Sequence, residues 1–390
     1  MDDKIYSLSS LRKFVAPEYI YGFGSRHLLP RFARNLALNK ILLITDSGVQ
    51  KAGWAKEIED ELVSEGFDVT VFDNVSPNPR DFEVMQGVEV FEKNHCDSIV
   101  ALGGGSAMDC AKGIGISTAN KQHILEFEGV DQVNIPSPPL ICLPTTAGSS
   151  ADVSQFCIIA DTTRHLKVAI ISKTTIPDVA LIDPEMTISM PLSLSVETGL
   201  DALTHAIEAY VSNASSPMTD INALEAIKLI YKYMPKVYEH PQNEEYRNQM
   251  MLGSLYAGLA FSNASLGAVH AMAHSLGGLK DLPHGLCNTI LLDKVIDFNF
   301  DSSPERFRRI AEIFNLKVAS STNQHIQSDL KKFMIDFKSS LNINKRFGEF
   351  GLKDNEILQL SQNAIKDACI ATNPKKTSIE DIKRIYEQSI

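Results

Sequence analysis

The 390-residue chain has no excess of basic residues: 37 Lys and Arg stand against 48 Asp and Glu, a formal net charge of −11. A nucleic-acid surface needs a basic patch to neutralise phosphates, and acidic residues spread along the chain argue against one. Long apolar runs are missing too. No stretch reaches the roughly 18 apolar residues that span a bilayer, so no membrane partner is expected. The opening Met1-Asp2-Asp3-Lys4 lacks the basic region and apolar run of a secretory signal. The six cysteines, at 96, 110, 142, 157, 287 and 369, form no CxxC pair. That usage fits reduced thiols in a cytoplasmic, soluble protein. No internal repeat or low-complexity segment is visible. G-x-G-x-x-G is absent from the first strand-to-helix turn, which removes the ordinary dinucleotide fingerprint, and Gly22-Phe23-Gly24 is too little to replace it.

What is present is alternation. The length favours two domains, and a 44% hydrophobic fraction suffices for two cores. Residues 14–23 read as extended and 26–36 as helix. Residues 40–45 (KILLIT) form a short, wholly apolar run, as expected of a buried parallel strand. A helix is expected over 49–65, a strand over 67–72, a helix over 81–94, a strand over 97–102 and a helix from 107 to about 116. This is βαβαβ text, which implies a parallel sheet with helices on its faces. Residues 140–143, 157–160, 166–171 and 179–182 add strand candidates. Near 184–190 the texture changes to long helical periods rich in Ala, Leu and Met. The division is set at 1–186, an α/β unit with a parallel sheet, and 187–390, an all-α unit.

In the helical half Asp201 and His205 stand i,i+4, as do His270 and His274, and His284 follows Pro283 in an expected loop. On a helix that spacing stacks two side chains on one face. One carboxylate and several imidazoles from two helices and a loop form the ligand mix that zinc or ferrous iron accepts. The plain alternative is ordinary core or surface histidines.

In the first half Gly103-Gly104-Gly105-Ser106 separates the strand 97–102 from a helix. Glycines let a backbone approach a ligand closely, and the helix N-terminus carries about half a positive charge, which together seat phosphate. A tight turn is the alternative. Asp46 ends the strand 40–45. It reads either as an acceptor for a ribose 2′-hydroxyl, favouring NAD over NADP, or as the N-cap of the next helix. The Thr145-Thr146-Ala147-Gly148-Ser149-Ser150 stretch offers hydroxyls to a phosphate or ribose, or is a polar turn. Pro77-Asn78-Pro79 is a rigid turn that either presents Asn78 to a ligand or merely reverses the chain.

Taken together, GGGSAMDCAKGIG (103–115), PTTAGSSADVS (144–154), DVALIDPEM (178–186), GLDALTHAIEAYVS (199–212), GLAFSNASLGAVHAMAHSLGG (258–278) and LPHGLCN (282–288) resemble the iron-activated (group III) alcohol dehydrogenases over nearly the whole chain. The resemblance implies an N-terminal NAD-binding domain, a C-terminal metal-binding domain and an active site in the cleft between them. It implies Asp201, His205, His270 and His284 as ligands of one divalent metal, Fe2+ first and Zn2+ second. It places His274 as the catalytic proton relay, and Gly104, Gly105, Ser106 and Asp109 at the diphosphate loop, with Lys112 beside them. It brings Asp46, Asn78, Thr145, Thr146, Ser149 and Lys167 to the NAD, and Phe261 to the substrate, with Phe156 on the pocket rim. The usual T-T-A-G-T-G-S-E is altered here, with Ser150 in place of a glycine and Asp152 in place of Glu.

The expected activity is NAD- and metal-dependent interconversion of a small primary alcohol and its aldehyde, in a homodimer or larger homo-oligomer. The opening Leu11-Arg12-Lys13-Phe14-Val15-Ala16-Pro17-Glu18 resembles a regulatory subgroup, so a regulator or sensor that keeps NAD and metal with little turnover is the alternative. A metal-dependent lyase like dehydroquinate synthase is the other rival. A phosphorylated acidic substrate would call for several cations near the metal helices, yet residues 194–231 hold only Lys228 and residues 252–283 only Lys280 among Lys and Arg.

Overall fold

The computed structural model describes residues 12–390, so Met1-Asp2-Asp3-Lys4 and Leu11 lie outside the described residues. β1 (Glu18–Tyr21) leads to α1 (Leu29–Asn35), β2 (Lys40–Ile44), α2 (Ser47–Ala52), α3 (Trp54–Ser64), β3 (Asp68–Phe72), α4 (Asp81–Lys93), β4 (Ser98–Gly103) and α5 (Gly105–Asn120). The strands β5 (Gly129–Val130), β6 (Leu140–Pro144), β7 (Phe156–Asp161), β8 (Leu166–Ile171) and β9 (Val179–Ile182) follow. Helices then run on: α6 (Leu192–Val211), α7 (Pro217–Glu239), α8 (Glu244–Ala264), α9 (Ala268–Lys280), α10 (His284–Asn299), α11 (Pro304–Ile313), α12 (Asn323–Ser340), α13 (Asp354–Ala364) and α14 (Ile379–Glu387).

Among the described residues the main sheet has the order β1-β9-β6-β4-β2-β3, and its pairings are parallel. The period-2 alternation of strand side chains sends Ile41, Leu43, Val100 and Leu102 into one apolar cluster, with Leu29, Ile58 and Leu62 of the covering helices. Leu42, Ile44, Ile99 and Ala101 enter the opposite cluster, against Val84, Met108 and Ile114. Both faces are therefore covered, which is why these strands read as unbroken apolar runs. Each fully buried Leu or Ile contributes about 1.5–3 kcal/mol relative to exposure.

The chain runs outward from β2 to β3 and returns on the other side of β2 as β4. The helices on either side of that reversal leave a crevice at the C-terminal ends of β2 and β4, the usual ligand seat of an open parallel sheet. A second sheet, β5-β8-β7, pairs β7 and β8 antiparallel, with Ala160 opposite Lys167. The largest apolar cluster runs from Ala147, Val153, Phe156 and Ile182 into α6, α8, α9 and α10 without a break.

Two local expectations differ from the structure. The helix expected over 49–65 is broken at Gly53, whose φ of 91° ends α2 and redirects the chain into α3. His284 is not in a loop. It is the first residue of α10, directly after Pro283, whose φ of −55° and ψ of 131° lead the chain into the helix.

Candidate active site

Asp201 and His205 lie one turn apart on α6, His270 and His274 one turn apart on α9, and His284 opens α10. A Cβ at Gly285 would stand 2.4 Å from the Glu197 carbonyl oxygen, so glycine there lets the start of α10 press against α6. Asp201 Oδ1 is 4.0 Å from His205 Nε2, 3.8 Å from His270 Nε2 and 3.9 Å from His284 Nε2. These four donor atoms all lie within 4.8 Å of one another. Burial holds the His205 imidazole below the ordinary range, and holds His270 and His284 well below it. The three rings are therefore neutral at pH 7 and offer lone pairs. One carboxylate with three neutral imidazoles fits a divalent cation of the zinc or ferrous type.

His270 Nδ1 donates to Glu208 Oε2 at 2.6 Å, while Glu208 Oε1 accepts from the Val269 N–H at 2.7 Å. With the Glu208 carboxylate ionised, this bond puts the His270 proton on Nδ1 and leaves the Nε2 lone pair for the site. Burial lifts the Glu208 carboxyl to about 7. His274 is tied to a different acid: its Nδ1 is 2.8 Å from Asp367 Oδ2. Burial alone would raise Asp367, but His274 and the Cys369 N–H hold its pKa below the ordinary value. His274 also stacks on His284, with ring centres 5.3 Å apart.

Across from this cluster, Gly104 caps α5 without a side-chain bond among the described residues, so the first amides of the helix open toward the crevice. Gly103 has φ 154°, and a Cβ on Gly105 would meet Ser149 Oγ at 2.7 Å, so both positions demand glycine. Asp46 does cap α2: its Oδ1 accepts from Gly48 and Val49 N–H at 2.8 and 3.1 Å. Its Oδ2 lies over Gly103, 3.2 Å from where a Cβ would be. Burial pushes the Asp109 carboxyl up to about 6, and its Oδ1 has no partner among the described residues. Lys112, by contrast, is fully buried beneath this surface and donates to the Ser154 and Phe156 carbonyls at 2.9 and 2.7 Å, a packing role.

Lys167 is buried, its pKa lowered by burial, and its Nζ donates to Asn78 Oδ1 at 2.6 Å. Asn78 adopts a left-handed φ of 60°, and its Nδ2 donates to Asp281 Oδ1 at 3.0 Å and to the Leu282 carbonyl at 3.3 Å. Arg80 adds an ion pair to Asp281 at 2.9 Å. The turn after β3 is thus tied to the connection that leads into His284. Phe261 stacks on the His205 ring at 4.3 Å and meets Phe156 edge-on at 5.5 Å. Phe261 therefore backs a candidate ligand as well as walling the space.

The two sets of residues face one another across a cavity of about 770 Å³. Asp46, Asn78, Gly104, Gly105, Ser106 and Asp109 line it, together with Thr145, Thr146, Ser149 and Lys167. Asp201, His205, His270, His274 and His284 close its other side with Phe156 and Phe261. Sequence reasoning missed Glu208, Asn288 and Asp367. Glu208 lies three residues after His205 and Asn288 four after His284, so helical spacing was the signal that could have found both. Asp367 gives no local signal.

The model of the iron-containing alcohol dehydrogenases matches residues 16–184, and that of the Fe-containing alcohol dehydrogenase family, C-terminal part, matches residues 195–390. The chain is 38% identical to alcohol dehydrogenase 4 of Schizosaccharomyces pombe, over 99% of this chain and 92% of that one. It is 34% identical to the NAD-dependent methanol dehydrogenase of Bacillus methanolicus, over 97% and 99%. Among solved structures, a 1,3-propanediol oxidoreductase superposes with a TM-score of 0.93 at 34% identity, over 97% of this chain and all of that one. An alcohol dehydrogenase from Oenococcus oeni gives 0.93 at 33%, with the same coverage of 97% and 100%.

Proposed function

The chain belongs to the iron-containing alcohol dehydrogenase family, and from that premise we propose which of its residues carry each part of the reaction. It is an oxidoreductase that interconverts a small primary alcohol and its aldehyde, with NAD and Fe2+ as cofactors. The similar proteins are enzymes, which favours this reading over a regulator.

Asp201, His205, His270 and His284 hold the cation, and the amides at Gly104, Gly105 and Ser106 seat the dinucleotide diphosphate. When bound, the cation supplies Lewis acidity at the alcohol oxygen and NAD the hydride acceptor. Asp46 Oδ2 accepts from the ribose; Thr145, Thr146, Ser149, Asn78, Asp109 and Lys167 flank the cofactor. His274 relays the alcohol proton outward through Nε2, since Asp367 holds Nδ1. Phe156 and Phe261 keep water from the reacting carbon, and their apolar faces suit a small uncharged substrate. Residues 1–186 form the cofactor domain and 187–390 the metal domain, with the reaction in the cleft between them.

The protein is cytoplasmic in this reading, supported by six cysteines that are all buried and unpaired among the described residues. No described helix is long and apolar enough to cross a membrane. A homodimer or larger homo-oligomer is supported by the sheet edge at β1, where Tyr19 and nearby Phe14 and Phe23 stay exposed.

The observation that carries the site assignment is the set of three Nε2 atoms at 3.8–4.0 Å from Asp201 Oδ1, facing across a cavity the glycine-capped start of α5. The test is metal analysis with an NAD-linked screen of short alcohols and aldehydes on one preparation. The same analysis checks the iron, since the donor set by itself would also accept zinc. His270→Ala should lose metal and turnover together; full metal retention would refute the ligand set.

A further inference from the structure

Asn288 lies one helical turn after His284 on α10 and is fully buried. Its Nδ2 is 2.5 Å from Asp201 Oδ1, 3.0 Å from His270 Nε2 and 3.1 Å from His284 Nε2. A carboxamide nitrogen only donates, so all three atoms accept from it, sharing two hydrogens. Its own Oδ1 has no hydrogen-bond partner among the described residues. An orphaned buried acceptor is unfavourable, so the amide is held this way round by its donor side.

Those contacts differ in kind from that of Glu208. Glu208 accepts the Nδ1–H of His270 and makes no contact with Nε2, as a supporting residue must. Asn288 takes Nε2 itself. An imidazole Nε2 has one lone pair, and it either accepts an N–H or binds a cation. Asp201 Oδ1 has lone pairs to spare, but the two imidazoles do not.

We propose that Asn288 competes with the metal: its carboxamide stands in for the cation by holding Asp201, His270 and His284 together, and turns away from both imidazoles when a cation enters. By donating to both Nε2 atoms it also fixes the rings as the tautomer that a cation needs, with the proton on Nδ1. The site is thereby shaped before metal arrives, at the expense of metal affinity. The proposal rests on the ligand assignment made above.

The two roles differ in sign. Loss of a supporting hydrogen bond weakens metal binding, typically about 10–100-fold. Loss of a competitor tightens it. Asn288→Leu keeps most of the volume without donors, and Asn288→Ala is the second variant. Co2+ dissociation constants come from chelator competition, and unfolding midpoints from the stripped and Co2+-loaded proteins. Both variants should bind Co2+ about tenfold more tightly, with the midpoint of the stripped protein falling further than that of the loaded one. A variant that folds only with Co2+ is the extreme of the same asymmetry and supports the proposal. Unchanged or weaker Co2+ binding, equal losses in both states, or failure of both variants to fold in either state would overturn it. If wild type does not bind Co2+, or His270→Ala binds it as wild type does, the ligand assignment fails instead.

Discussion

Asp367 holds the His274 ring by its far nitrogen: Oδ2 lies 2.8 Å from Nδ1, although the residues are 93 positions apart. An ionised carboxylate accepts only, so the His274 proton stays on Nδ1 and Nε2 keeps the lone pair that a proton relay needs. Asp367→Asn substitutes an amide that can donate to Nδ1 and reverse the tautomer. The expected result is a fall in kcat of about 10²-fold or more, a displaced pH–rate profile and unchanged metal content. An unaltered kcat and profile would remove His274 from proton transfer.

Glu208 does for His270, the proposed metal ligand, what Asp367 does for His274, the proposed relay. Its Oε2 fixes His270, and its Oε1 is anchored by the Val269 N–H. Glu208→Gln keeps the shape and weakens the charge that makes Nε2 a good donor. Metal affinity should fall about 10–100-fold by chelator competition, with a smaller change in KM for NAD. Metal affinity equal to wild type would make Glu208 a packing residue.

Much of this arrangement was legible locally, and the remainder was not, for physical reasons. The pairs Asp201/His205 and His270/His274 declare themselves because i,i+4 spacing places side chains on one helical face whatever the tertiary fold. The strands β2 and β4 declare themselves because both of their faces are buried. The break at Gly53 hides inside a helical period, since a positive φ leaves no mark on hydrophobic spacing. The helical start at His284 was missed because Pro283 reads equally as loop or as the step before a helix. Strands β7 and β8 were visible as strands, but their antiparallel sheet is set by pairing partners, which a strand's own residues do not name. Asp367 reaches His274 only through tertiary packing.

Asp46 shows how two readings of one residue can hold together. Oδ1 caps α2, and Oδ2 faces the glycine turn. The two uses separate in the variants. Asp46→Asn keeps a capping oxygen and removes the charge that repels a 2′-phosphate. The NADP to NAD ratio of kcat/KM should rise about tenfold, with stability held within about 0.5 kcal/mol. Asp46→Ala should show the same change in ratio and lose about 1 kcal/mol of stability as well. A ratio that stays fixed in both variants would leave Asp46 a cap and nothing more.

Asp109 links the cavity to pH. Burial raises its carboxyl from the ordinary 3.8 to about 6, with Lys112 partly opposing the rise. Folding therefore disfavours the ionised form. Below 3.8 the group is protonated in both states and contributes no penalty. Between 3.8 and about 6 the folded state keeps a proton that the unfolded chain has lost, so stability falls as pH rises. Above about 6 the loss is complete. Asp109→Asn has no proton to lose, while the other titrating groups are common to both proteins and cancel. The midpoint of the variant minus that of wild type, measured without NAD, should grow by about 2–4 °C between pH 4 and pH 6.5. A difference that stays constant across that range would mean that Asp109 ionises freely in the folded protein, with water or a side chain reaching its unpartnered oxygen.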